Sequence, residues 1–106
     1  MSEVQEITPD QAAAELATGT AVFFDIRDPQ SYATGHVPGA VSVSDANVEE
    51  LVVSSDKTQR LVVYCYHGNS SLGGVAFFQS RGFSDVASMS GGFELWRQLF
   101  PDEIAT

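Results

Sequence analysis

The sequence predicts an α/β fold, a parallel sheet covered by helices on both faces. Three observations lead there. Strand-like and helix-like runs alternate along the 106 residues. The strand-like runs are short and rich in β-branched or aromatic residues. They lack polar alternation, which marks strands buried on both faces. The helix-like runs between them carry start and stop signals.

The elements follow in chain order. Thr8-Pro9-Asp10-Gln11 supplies an N-cap, a proline at the first helical position and a capping-box glutamine; the helix it opens should stop at Gly19. "AVFFDI" (21–26) is the first predicted strand. Asp28-Pro29 opens a second, short helix that Gly35 ends. "AVSV" (40–43) is the next strand, and "NVEELVV" (47–53) a third helix. "LVVYC" (61–65) is a strand, followed by a polar loop. Ser70 or Ser71 caps a fourth helix running to about Arg81, with Gly82 as the stop. "DVASM" (85–89) is the last strand, and Ser90 precedes a fifth helix within "GGFELWRQLF". No linker, repeat or low-complexity segment interrupts the series, so residues 1–106 read as one domain.

Composition narrows the function. Apolar residues make up 43% and charged residues 18%, a globular balance. Fourteen acids against five bases give a formal charge of -9. The bases, Arg27, Lys57, Arg60, Arg81 and Arg97, do not cluster, so no nucleic-acid footprint exists, and an anionic membrane surface would repel the chain. "MSEVQEITPDQ" has neither a basic nor an apolar leader region, and no run reaches membrane-spanning length. A single cysteine, Cys65, cannot pair within the chain. The expected setting is the cytoplasm.

Cys65 stands at the carboxyl end of a strand, where parallel α/β sheets bind ligands. It opens the loop Cys65-Tyr66-His67-Gly68-Asn69-Ser70-Ser71, which leads into a helix. A tight loop entering a helix N-terminus aims successive amides inward and makes an anion cradle, reinforced by the helix dipole. Gly68 permits backbone angles that other residues avoid, Asn69 tolerates similar ones, and Ser70 or Ser71 serves as cap. Gly73 and Gly74 are poor helix formers, so their placement in the first turns suggests close approach to another backbone. A thiol in such a cradle titrates low: free cysteine has a pKa near 8.5, and helix-terminal cysteines fall to roughly 3.5–7.5. A hundredfold shift toward thiolate requires about 2.7 kcal/mol of preferential stabilisation of the anion. The same amides would hold a persulfide. The competing reading is an inert buried cysteine.

At these residues the chain resembles the rhodanese family, and within it the single-domain bacterial thiosulfate sulfurtransferases of the GlpE type. Three motifs carry the resemblance in order: "DIRDPQSYATGHVPGA" (25–40), "VVYCYHGNSS" (62–71) and "SGGFELW" (90–96). The resemblance implies a parallel sheet of about five strands and a two-step reaction at Cys65. The thiolate takes the sulfane sulfur of thiosulfate, releasing sulfite, and a thiophilic acceptor then removes it. Cyanide is the assay acceptor and a dithiol such as thioredoxin the cellular one. No metal or organic cofactor is implied. One departure stands out. Many members carry Arg or Lys in or just after the loop; here Leu72 follows the serines, and His67 is the only loop side chain able to become cationic.

The remaining residues read mainly as structural. Asp25 and Arg27 lie two apart on one side of a strand end and form an ion pair or loop anchor more readily than a substrate-binding arginine. His36 fixes a loop. Asn69, Ser70 and Ser71 contribute amides more than side chains. Tyr66 shapes the entrance or packs against it. His67 orients an anion, shuttles a proton or faces solvent. Gly91 and Gly92 make a tight strand-to-helix turn, and Trp96 belongs to the core.

Other functions fit less well. A sulfurtransferase using a different donor keeps the same site. A phosphatase or arsenate reductase of the Cdc25 type needs a C-x5-R loop, but the sixth residue after Cys65 is Ser71, and no arginine follows until Arg81. Without that guanidinium a doubly charged oxyanion loses its bidentate partner. A non-catalytic rhodanese-like binding module commonly lacks the cysteine. A thiol redox sensor would need an external thiol to resolve it.

Overall fold

A computed structural model describes residues 4–106; the first three residues of the stretch read for a leader lie outside the described residues. Strands and helices alternate throughout: β1 (Gln5–Ile7), α1 (Pro9–Thr18), β2 (Val22–Asp25), α2 (Pro29–Thr34), β3 (Val41–Ser42), α3 (Val48–Ser54), β4 (Leu61–Tyr64), α4 (Ser70–Ser80), β5 (Val86–Met89) and α5 (Gly92–Leu99). The five strands form one parallel sheet in the order β1-β5-β4-β2-β3. No described helix is long and apolar enough to cross a membrane.

Central strand β4 explains the lack of polar alternation. All four of its residues are buried, with Val62 and Tyr64 on one face and Leu61 and Val63 on the other. α1 and α5 cover the first face, where Ala12, Phe93 and Trp96 pack with Phe23 and Met89. α3 and α4 cover the second, where Val52, Val75 and Phe78 pack with Phe24 and Val86. Trp96 is fully buried and donates its indole N–H to Glu103 O, a core position as predicted.

Local signals set the helix boundaries. Thr8 and Gln11 form the reciprocal capping box, and Gly19 ends α1 in the left-handed region. The Asp28 carboxylate caps α2 by accepting from Ser31 N. α4 departs from expectation. Asn69 occupies its N-cap without a side-chain cap, and neither Ser70 nor Ser71 caps it; Ser71 lies in the first turn, buried and turned inward. Asn69 has φ -87°, so it makes no use of its tolerance for left-handed angles.

The close approach proposed for Gly73 and Gly74 also needs correction. A Cβ on Gly73 would meet nothing within 4 Å, and one on Gly74 would meet side chains, Ile26 Cδ1 and Val63 Cγ1, each at 3.1 Å. β1 was not predicted. It is a three-residue edge strand with only Ile7 buried, too short and polar to show a strand pattern.

The topology places a site. β2 and β4 are neighbours, yet β2 continues outward to β3 on one side and β4 to β5 on the other. Such a reversal opens a crevice at the strands' carboxyl ends. Asp25 to Arg27 leave β2 there, and Cys65 leaves β4.

Candidate active site

Cys65 follows β4 directly, two residues beyond Val63 and on the same side of the sheet, under the start of α4. The residue is only 6% exposed, as an inert core cysteine would be. Its surroundings are polar, unlike those of an inert core cysteine. The amides of Gly68 and Ser71 each donate to Sγ at 3.2 Å, and Ser71 Oγ lies 3.4 Å away. Burial pushes the thiol's pKa up. The Ser71 hydroxyl, the Ser71 and Gly68 amides and a lesser contribution from the His67 amide outweigh it, and the thiol sits below its ordinary value.

Two glycines make this loop possible. Gly68 has φ +92°, and a Cβ there would stand 2.9 Å from Gly91 N. Gly92 has φ +58°, and its Cβ would stand 2.4 Å from Tyr66 O and 2.5 Å from Cys65 O. With no side chain in the way, the start of α5 docks on the loop: Phe93 N donates to Cys65 O at 2.8 Å and Glu94 N to Tyr66 O at 2.9 Å. The carboxy-terminal motif therefore holds the backbone on which the thiol is mounted.

Arg27 is held by protein through Nε and Nη2. Its guanidinium bonds Asp25 Oδ2 at 2.7 Å and Gly35 O at 2.7 Å, and both side chains are buried. The cation also lies over the Phe93 ring at 4.2 Å and the Tyr66 ring at 5.0 Å. It therefore anchors the loop wall. His36 stacks on Tyr32, sets Nδ1 2.7 Å from Tyr32 O and pairs through its backbone with Ala105. Tyr66 is 41% exposed at the entrance, with the exposed His67 ring beside it at 6.0 Å between centroids.

Apart from Arg27, whose Nη1 has no hydrogen-bond partner among the described residues, and the exposed His67, the described basic side chains are engaged by other protein groups. Arg60 pairs with Glu15 and Asp85, Arg81 with Glu49, and Arg97 with Glu94. Lys57 bonds the carbonyls of Val52 and Ser55. The loop amides and the start of helix α4 supply positive character at the sulfur itself. A concavity of about 440 Å³ lies between Ile26, Arg27, Val43, Val48, Gly74 and Phe77, with Asp28 and Asp45 among its lining.

Of the loop residues singled out from sequence, Gly68 and Ser71 meet the sulfur with their amides and the His67 amide contributes more weakly, while Tyr66, Asn69 and Ser70 make no hydrogen bond to Sγ. Sequence reasoning missed two hydroxyls. Ser71 brings its side chain as well as its amide, and Ser88 Oγ on β5 lies 2.7 Å behind Ser71 Oγ. The available signal was a serine inside the otherwise apolar run "VASM".

The fold and site together define a class, a parallel α/β domain that sets an amide-cradled cysteine at its topological switch point, an arrangement able to support thiolate chemistry. Within that class, the model described as "Rhodanese-like domain" matches residues 8–99, and the chain belongs to the rhodanese family. It is 47% identical over 105 residues to thiosulfate sulfurtransferase GlpE of Ectopseudomonas mendocina, and 48% identical over 105 residues to the protein of that name from Pseudomonas entomophila. Each alignment covers 99% of this chain and 95% of the relative. The crystal structure of reduced Bacillus anthracis CoADR-RHD shares the fold with a TM-score of 0.84 at 16% identity, over 97% of this chain and 18% of that one.

Proposed function

We propose that this protein is a thiosulfate sulfurtransferase working through a persulfide on Cys65. The observation that carries the reading is the sulfur's setting, two backbone amides and one hydroxyl converging on Sγ. The full-length similarity to proteins named thiosulfate sulfurtransferase supports it.

In the first step the Cys65 thiolate attacks the sulfane sulfur of thiosulfate. A sulfur–sulfur bond forms to the enzyme, and the bond to the sulfonate sulfur breaks, sending its electron pair out on sulfite. The negative charge then rests on the outer sulfur of a cysteine persulfide, above the same loop. In the second step a thiophile attacks that outer sulfur and expels the Cys65 thiolate. Cyanide leaves as thiocyanate. A dithiol such as thioredoxin first takes the sulfur as its own persulfide, then closes to a disulfide and releases hydrosulfide. This is covalent catalysis of the ping-pong kind.

The amides of residues 66 to 71 form the pocket for both anions, with Tyr66 and His67 at its mouth. We read residues 1–106 as one domain, and its lone thiol as suited to the reducing cytoplasm. Neither the reaction nor the charge of -9 favours nucleic acid or a membrane as partner.

The test is intact mass after mixing reduced protein with excess thiosulfate and removing small molecules. The expected result is the gain of one sulfur atom, absent in Cys65→Ser and discharged by cyanide as thiocyanate. No gain, with Cys65 still readily alkylated, would overturn thiosulfate as the donor.

A further inference from the structure

Ser88 lies on β5 opposite Val63 of β4, facing α4 within a layer otherwise built from Phe24, Val63, Val75, Phe78 and Val86. It is fully buried. A hydroxyl in an apolar layer is costly unless it is hydrogen-bonded. Among the described residues, its side-chain oxygen has one partner, Ser71 Oγ at 2.7 Å, and Ser71 Oγ in turn lies 3.4 Å from Cys65 Sγ. We propose that Ser88 is a positioning residue for the Cys65 nucleophile, donating to Ser71 Oγ and so keeping the Ser71 hydroxyl hydrogen aimed at the sulfur.

The direction of the chain follows from its dead end. Each hydroxyl has one hydrogen to give. If the chain ran inward, from the thiol to Ser71 and from Ser71 to Ser88, the Ser88 hydrogen would be buried without an acceptor, a state folded proteins avoid. Run outward, from Ser88 to Ser71 and from Ser71 to sulfur, both hydrogens are used. The outward chain ends on Sγ, where negative charge sits before the first step and returns at the end of the second. Donors fixed in advance on such a position need no reorganisation when the charge arrives. In the persulfide the charge has moved to the outer sulfur, so the chain favours the thiolate as leaving group when an acceptor attacks.

The titratable neighbours do not duplicate this role. The side chains of Tyr66 and His67 on the loop, Asp25 at the end of β2, Arg27 just beyond it and Glu94 on α5 make no hydrogen bond to Sγ among the described residues. α4 carries no titratable side chain before Arg81, and β5 carries none.

The inference rests on Cys65 being the nucleophile, and the test separates the two ideas. Alkylation of Cys65 by iodoacetamide is followed from pH 5 to 10 in the full chain, as wild type, Ser88→Ala, Ser88→Thr, Ser71→Ala and the Ser71→Ala/Ser88→Ala double variant. Ser88→Ala should slow alkylation below the midpoint by about threefold or more, moving the midpoint up by about half a pH unit, with the high-pH plateau unchanged. Ser88→Thr should restore the wild-type profile. In the Ser71→Ala background the Ser88 change should add nothing, since its effect passes through Ser71. Ser88→Cys, which keeps the volume but donates weakly, should behave like Ser88→Ala if that variant proves unstable. Superimposable profiles for wild type and Ser88→Ala, or full additivity with Ser71→Ala, would overturn the role of Ser88. Absence of sulfur loading by the wild type counts instead against the sulfurtransferase reading.

Discussion

Replacing one glycine by alanine should destabilise this protein at position 92 and stabilise it at position 73. At Gly92 the backbone has φ +58°, a region that costs an L side chain roughly 1–2 kcal/mol. The new Cβ would also press on the carbonyl oxygens of Tyr66 and Cys65 at 2.4 and 2.5 Å, which are backbone atoms and cannot rotate aside. The chain must retreat, and the bonds from Phe93 N and Glu94 N to those oxygens, 2.8 and 2.9 Å long, are lost. Each contributes about 0.5–1.5 kcal/mol. The whole effect is about 2–5 kcal/mol, a large part of the 5–15 typical of a domain. At about 4–8 °C per kcal/mol, Tm should fall by ~10 °C or more. Gly73 lies inside α4 with nothing within 4 Å of its Cβ position, so alanine there should add about 0.5–1 kcal/mol through helix propensity. Urea denaturation with a constant m-value, combined with Cys65 alkylation, would read both effects. Gly92→Ala should also slow alkylation, because the moved carbonyls carry the thiol. Equal stability of the two variants, or a Gly92→Ala protein within about 0.5 kcal/mol of wild type, would refute the docking argument.

Two further outcomes follow from the site. Because the folded state holds the Cys65 thiol below its ordinary value, the unfolded chain keeps its proton to higher pH. Stability owed to the thiolate is therefore complete above the unfolded pKa, near 8.5, and lost as pH falls through the folded one. The stability gap between wild type and Cys65→Ala, measured by denaturation at several pH values, should widen with rising pH up to about 8.5 and then stay flat; a gap that narrows as pH rises would contradict the cradle. Arg27→Met should destabilise by about 3–5 kcal/mol, since it strands the buried Asp25 carboxylate, and adding Asp25→Asn should recover much of the loss. A stable Arg27→Met protein with only a raised KM for thiosulfate would instead make Arg27 a donor-binding residue.

Much of this protein is determined by short-range pattern. Unalternating apolar runs announced β2, β4 and β5, because strands covered on both faces need apolar side chains in both directions; the run 40–43 instead yields only Val41–Ser42, a half-buried edge strand. Caps at Thr8 and Asp28 and the stop at Gly19 follow from helix ends whose free backbone groups must be satisfied within a few residues. The position of Cys65 between such a strand and helix α4 was enough to mark it, since the loop's geometry is local. What escaped the sequence is long-range. β1 exists because β5 offers its edge to Gln5–Ile7, not because those residues favour a strand. Ser71 looks like a cap in sequence, yet its hydroxyl turns inward, where sulfur and Ser88 are available. Ser88 is seventeen residues from Ser71 and reaches it only because β5 lies beside β4 in register. Gly92 belongs to the site only because α5 returns across the loop. No periodicity within one segment encodes which strand will be its neighbour. Local hydrogen bonding determines the elements and the thiol's place, while sheet pairing and the docking of α5 decide which distant groups converge on the sulfur and its loop.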